Sequence, residues 1–428
     1  MTDQVATEVG LFGLLLACAA GWYVIGAAFE HDPHEARFLQ IVFVAALLVR
    51  VGVAISTFDL LPYGYAAPDE VGYVASARAL MASGHLSLGE VLNGEGWQYF
   101  NLLLFHLFGV NLLLPRLWNC VVGAVTPIVC FSLARSLGAG SAARWTALLV
   151  GGFPSLVLWS SLNLKDADVW LLILGGLLLV IRMQDSFRWW CLPTLLIIMA
   201  ALEPIRRYAD DALLVAACVS LIVTLRPMRQ LASRPDFMRG AAVVFVVLAG
   251  ILVTAAYVFP NAGEGIYRSA GLVQLATLRH NFAIGAHSAI NPDPGLGTLR
   301  GTLAFLPNGL RDFFLRPFPW EAGGGLFEVT RLEAVVYYAS LLFAALGIVY
   351  SLKTSAARAL PPLTFLIVTG IGYALVIANV GTIYREREQL IVVMFAFVGV
   401  GVQTIRLYTQ HRRPLVDPRA GLDTARHT

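Results

Sequence analysis

The sequence predicts an all-α polytopic membrane protein of about eleven transmembrane helices, several of them shorter than the roughly 20 apolar residues that cross a bilayer. Two observations carry this. Across 428 residues, 58% are hydrophobic and only 13% charged, more apolar material than a soluble core uses. Lys and Arg also concentrate in alternate short loops, as they do on the cytoplasmic side of membrane proteins.

The spans fall near residues 9–29, 38–58, 112–134, 144–161, 167–182, 189–203, 210–225, 240–259, 334–352, 361–380 and 389–407. The first begins with Asp3 and Glu8 and has no basic start or small-residue cleavage pattern, so it reads as a retained helix. The second carries Arg50, the one charge deep in a predicted span. Residues 97–110 (WQYFNLLLFHLFGV) are too short to cross and include Asn101 and His106, so they read as a re-entrant or interfacial helix. Residues 260–333 are the one place for a small extramembrane subdomain.

Orientation follows from the basic loops. Arg135 and Arg144, Arg182 and Arg188, then Arg226, Arg229, Arg234 and Arg239, Lys353 and Arg358, and a tail with Arg406, Arg412, Arg413, Arg419 and Arg426 define one side. That side is expected to be cytoplasmic, which puts the C-terminus inside and the N-terminus outside. Cys18, Cys120, Cys130, Cys191 and Cys218 lie in apolar stretches without metal or disulfide spacing and read as small buried hydrophobes. A net charge of +3 carries no nucleic-acid signature.

The opposite face collects the unusual polar residues: Asp69 and Glu70; Lys165, Asp166 and Asp168; Glu203, Arg206, Arg207, Tyr208, Asp210 and Asp211; Arg311 to Glu321; and Arg385 to Glu388. Each has an ordinary reading. Pro68 suits a first helical position and acids suit a first turn, so Asp69-Glu70 alone reads as a helix start; the same dipole favours the ionised form a general base needs. Lys165 with Asp166 reads equally as a salt bridge at a helix end. Arg206 and Arg207 oppose the charge bias and have the fork geometry that holds phosphate. Arg385 and Arg387 alternate with Glu386 and Glu388, as in a self-paired helix start. Arg316 could face the site, whereas Trp320 reads as an aromatic belt anchor. His280 and His287, seven apart, lack a carboxylate at ligand spacing.

The order of these features resembles the membrane-embedded GT-C superfamily glycosyltransferases, in particular the family 39-like bacterial group related to protein mannosyltransferases and lipid A aminoarabinose transferases. The resemblance rests on Arg50 in a span, Asp69-Glu70-x-x-Tyr73 with Arg78 and Gly84, Arg116-Leu117-x-Asn119, Leu133-Ala134-Arg135, Phe153-Pro154, Lys165-Asp166, and Tyr384-Arg385-Glu386-Arg387. It covers most of residues 38–405. Two departures stand out: the additional span at 9–29, and a C-terminus that lacks the large soluble domain of some relatives.

The resemblance implies a GT-C-like bundle with amphipathic helices in a catalytic external loop, 59–111. Residues 1–37 would be an extra helix and linker, 38–259 the core, 260–333 a long external loop, 334–407 the last spans and 408–428 a basic cytoplasmic tail. It also implies transfer, with inversion, of a sugar from a polyprenyl-phosphate donor to a glycan, lipid or protein acceptor of the cell envelope. The site would face outward from a bacterial inner membrane, among membrane lipids and without nucleic acid. By motif position Asp69 would be the base, and Glu70 would orient the acceptor or bind a divalent cation such as Mg2+ or Mn2+. Arg206, Arg207, Arg385, Arg387 and Lys165 would supply the phosphate cradle, and Tyr73, Asp166 and Arg316 would line the substrate. Two other readings stay open: a polysaccharide polymerase or O-antigen-ligase-like enzyme using undecaprenyl-diphosphate glycans, and a lipid-linked sugar transporter. A transporter would place charge near the bilayer midplane, where only Arg50 answers.

Overall fold

The computed structural model describes residues 3–84, 91, 95–224, 268–284, 288–318, 320–321 and 326–411. The expected span 240–259, the basic group from Arg226 to Arg239, His287 and the tail from Arg412 onward lie outside the described residues. Among the described residues the regular structure is helical, with one isolated bridge between Ala289 and Asn379.

Among the described residues, five helices are long and apolar enough to cross a membrane: Glu8–Ala28, Pro33–Leu60, Leu113–Ser136, Glu333–Val376 and Glu388–Gln410. Their full runs are α1 (Asp3–Ala28), α2 (Pro33–Leu60), α5 (Leu113–Ser136), α12 (Leu326–Val376) and α14 (Glu388–His411). The remaining helices are α3 (Asp69–Ser83), α4 (Gly96–Phe108), α6 (Ala143–Gly152), α7 (Pro154–Trp159), α8 (Asp166–Asp185), α9 (Cys191–Thr224), α10 (Arg268–Ala283), α11 (Leu299–Leu315) and α13 (Val380–Glu386).

The eleven-span expectation meets three local departures. The stretch 144–161 is not one helix: Phe153 is extended (φ −66°, ψ 121°) and Pro154 restarts the chain as the short α7. Proline has no N–H, so the Val150 carbonyl four residues back loses its helical donor. Arg50 replaces it. Buried in α2, it donates from Nη2 to the Val150 carbonyl at 3.3 Å, from Nη1 to that of Gly151 at 2.9 Å, and from Nε to Ser160 Oγ at 2.8 Å. The deep charge is thus a cap for a broken helix. Arg50→Met is expected to strand these buried acceptors and to lower stability by about 2–5 kcal/mol, measured by thermal unfolding of the purified protein.

The other two departures are reversals. In α9, Arg206 leaves the helical region (φ −152°, ψ 77°). Ile198 before the break and Leu213 after it pack on the adjacent Gly175 and Gly176 of α8, and Ser220 then receives Gln184 Nε2 from the far end of α8 at 2.6 Å. The chain therefore doubles back at Arg206, and the expected segments 189–203 and 210–225 are the two arms of one hairpin. In α12 the same happens at Ser355 (φ −153°, ψ 61°). Tyr337 meets Arg387, Gly347 meets the Phe397 carbonyl, and Gly370 returns to Leu390 at the start of α14. Glycine is needed at Gly347, because a Cβ there would strike that carbonyl.

One end of the bundle is covered by α3 and α4. The 13-residue α4 is about 20 Å long and too short to cross; it packs through Phe105 on Val74 and Ala77 of α3. Asn119 of α5 donates to the carbonyls of Leu162 (2.6 Å) and Leu164 (2.5 Å), fixing the loop before α8. At the same end Arg279 of α10 is buried over Phe305 and donates to the terminal α12 carbonyls of Ala374 and Leu375 and to that of Ile377 just beyond. α10 and α11 are thereby tied to the bundle.

Candidate functional site

Four chain segments converge where α3, α8, α13 and the break in α9 meet. Asp69 occupies the first turn of α3, and its side chain is 51% exposed. Its Oδ2 accepts from Arg385 Nη1 at 2.5 Å, and Arg385 Nε donates to Asp166 Oδ2 at 2.8 Å. Asp166 opens α8 and is fully buried; its other oxygen accepts from Arg206 Nη2 at 3.1 Å. Arg206 Nη1 continues to Glu386 Oε1 at 2.5 Å, whose Oε2 accepts from Gln389 at 2.6 Å. The network runs Asp69, Arg385, Asp166, Arg206, Glu386.

Electrostatics follow from this alternation. Burial would push the Asp166 carboxyl up, but Arg385 and Arg206 outweigh it and hold it below the ordinary carboxylate value. Lys165, just before α8, is lowered to about 8, first by burial and then by Arg206. Tyr73, one turn beyond Asp69, is pushed up to about 12, chiefly by burial, and stays a neutral hydroxyl near Arg385.

Of the five expected cations, Arg206, Arg385 and Lys165 gather around Asp166, and two do not. Arg207 points to solvent and pairs with Glu203 one turn back at 3.0 Å. Arg387 donates to the carbonyls of Arg316 (2.6 Å) and Phe314 (3.3 Å) and lies over the Tyr337 ring at 4.4 Å, so it pins the end of α11. Arg316 pairs with Asp312 of the last turn of α11 and with Glu321 in the loop that follows. Asp166, expected to line the substrate, is instead buried between two guanidiniums.

Glu70 departs most from expectation. It is buried, its two oxygens accept from Arg116 Nε (2.9 Å) and Nη2 (2.8 Å), and Oε1 also takes the Asn163 N–H at 2.7 Å. A carboxylate saturated in this way has no edge free for an acceptor or a cation. Asp69 is likewise engaged by Arg385, and no group of three His, Cys, Asp or Glu side chains among the described residues has metal-ligand placement. Glu70, buried and bound to Arg116, therefore cannot join Asp69 in a two-carboxylate cation site.

Beside the network lies a mainly apolar cavity of about 290 Å3 between α9, α10 and α12, with Phe282, Val368, Tyr373 and Val376 on its walls. Arg206, Glu386, Asp211 and Gln274 are among its polar lining residues. The α10 contribution lay in a segment without readable motif, and Arg116 and Asn163, which anchor Glu70, had no assigned role.

Fold and site together define a class: an all-helical protein, with several helices fit to cross a membrane and an arginine–carboxylate network at one end of the bundle beside an apolar cavity. Beyond that class, no family model, curated protein or solved structure matches the chain.

Proposed function

We propose that this chain is an integral-membrane inverting glycosyltransferase that moves a sugar from a polyprenyl-phosphate donor to a cell-envelope acceptor at the external face. The observation that carries the reading is the solvent-facing Asp69 carboxylate, held by Arg385 at the edge of a cationic network that adjoins an apolar cavity. Asp69 removes the acceptor hydroxyl proton as that oxygen attacks the anomeric carbon. The bond to the donor phosphate breaks, and the leaving phosphate takes its charge toward Arg385, Arg206 and Lys165. The cavity accommodates part of an isoprenoid chain, with Arg206 at its head. Asp166 keeps the two guanidiniums in place.

A polymerase would use the same groups on a longer donor. Purified protein given a radiolabelled polyprenyl-phosphate monosaccharide and an envelope-lipid acceptor extract distinguishes them by product size. A single added sugar is expected; a ladder of products, or no transfer, contradicts the proposal.

A further inference from the structure

A second cluster lies apart from the Asp69 network. Ser155, at the start of α7, places its Oγ 2.8 Å from Glu333 Oε1 and 2.7 Å from Glu388 Oε1, and its N–H donates to Glu333 Oε2 at 2.9 Å. All three residues are buried. A serine hydroxyl has one hydrogen to give, so two carboxylates cannot both be its acceptors. One carboxyl group must itself donate.

The surroundings identify which. Glu333 receives the Ser155 N–H and hydroxyl on its two oxygens, as an anion would, whereas Glu388 Oε2 is buried without a partner. Charge is consistent with this: among the described residues, Arg387 is the cation that faces the pair, enough to balance a single carboxylate. The other facing groups are the hydroxyls of Tyr384 and Tyr337 and, beyond them, Asp166.

An independent feature adjoins it. A cavity of about 10 Å3, room for one water, is lined by Glu333, Tyr337, Tyr384 and Arg387. Tyr337 Oη and Arg387 Nε are buried there without protein partners, on side chains only 2% and 3% exposed. Two donors and one carboxylate around a water-sized space are the partners a bound water requires.

We propose that Ser155, Glu333 and Glu388 form a buried proton-binding site, in which Glu388 donates its proton to Ser155 Oγ, Ser155 donates to Glu333, and one water occupies the adjoining cavity. The site ties α7, α12 and α14 together, and removing its proton would leave two anions on one hydroxyl.

Infrared spectroscopy of the purified full chain in nanodiscs tests this. Wild type at neutral pH is expected to show a protonated-carboxyl C=O band that Glu388→Gln reduces by one group's intensity. The carboxamide can donate to Ser155 Oγ in place of the acid, so Glu388→Gln should keep the wild-type melting temperature at neutral pH. An unchanged band, or a Glu388→Gln protein that is destabilised or unfolded at neutral pH, overturns the proposal.

Discussion

Asp69→Asn is expected to reduce sugar transfer by about 10²–10⁴-fold, the contribution of a general base, while the folded protein and donor binding are retained. Asparagine has the same shape and can still accept from Arg385, but it cannot take the acceptor proton. The stability cost stays small because Asp69 is half exposed and the Asn amide oxygen still accepts from Arg385; pairs with a solvent-facing partner contribute up to about 1 kcal/mol, with a similar term from the α3 dipole. Single-turnover transfer and donor-binding assays on the same preparation separate the two effects. Turnover near wild type would remove Asp69 from the chemistry.

Glu70 should behave in the opposite way. Glu70→Ala leaves Arg116 buried without its counter-charge and strands the Asn163 N–H. Removing one partner of a buried ion pair costs about 3–5 kcal/mol. The melting temperature should fall steeply, and the molecules that remain folded should still transfer sugar. Replacing Arg116 by Met in the same chain should recover part of the loss, because the uncompensated charge leaves with it. A Glu70→Gln protein with wild-type melting temperature and no turnover would instead place Glu70 in the reaction.

The contrast between these neighbours shows what the sequence could carry. Apolar stretches locate α1, α2, α5 and the arms of α9 and α12 because burial in a membrane demands length and composition, both visible locally. The adjacent acids read as one functional pair, but successive helical residues point about 100° apart. Asp69 consequently reaches Arg385, 316 positions away, while Glu70 turns inward to Arg116.

Charge alternation around residue 385 is equally ambiguous on paper. Arg385 joins the network and Arg387, two residues on, pins a loop, a division made by contacts 219 and 71 positions distant. Arg50 was visible as an anomaly, whereas Pro154 lay unremarked inside the expected span 144–161. Their connection, roughly 100 positions apart, exists only in three dimensions. The Ser155–Glu333–Glu388 cluster left no sequence signal, since each member looks ordinary in its own segment.

Direct displacement by a base-activated hydroxyl has a stereochemical consequence that no other assay reads as plainly. The anomeric configuration of the transferred sugar, determined by NMR against that of a defined polyprenyl-phosphate donor, is predicted to be inverted. Retention of configuration, or absence of any transferred sugar, would contradict the assignment of Asp69 and its arginine network as a glycosyltransfer site.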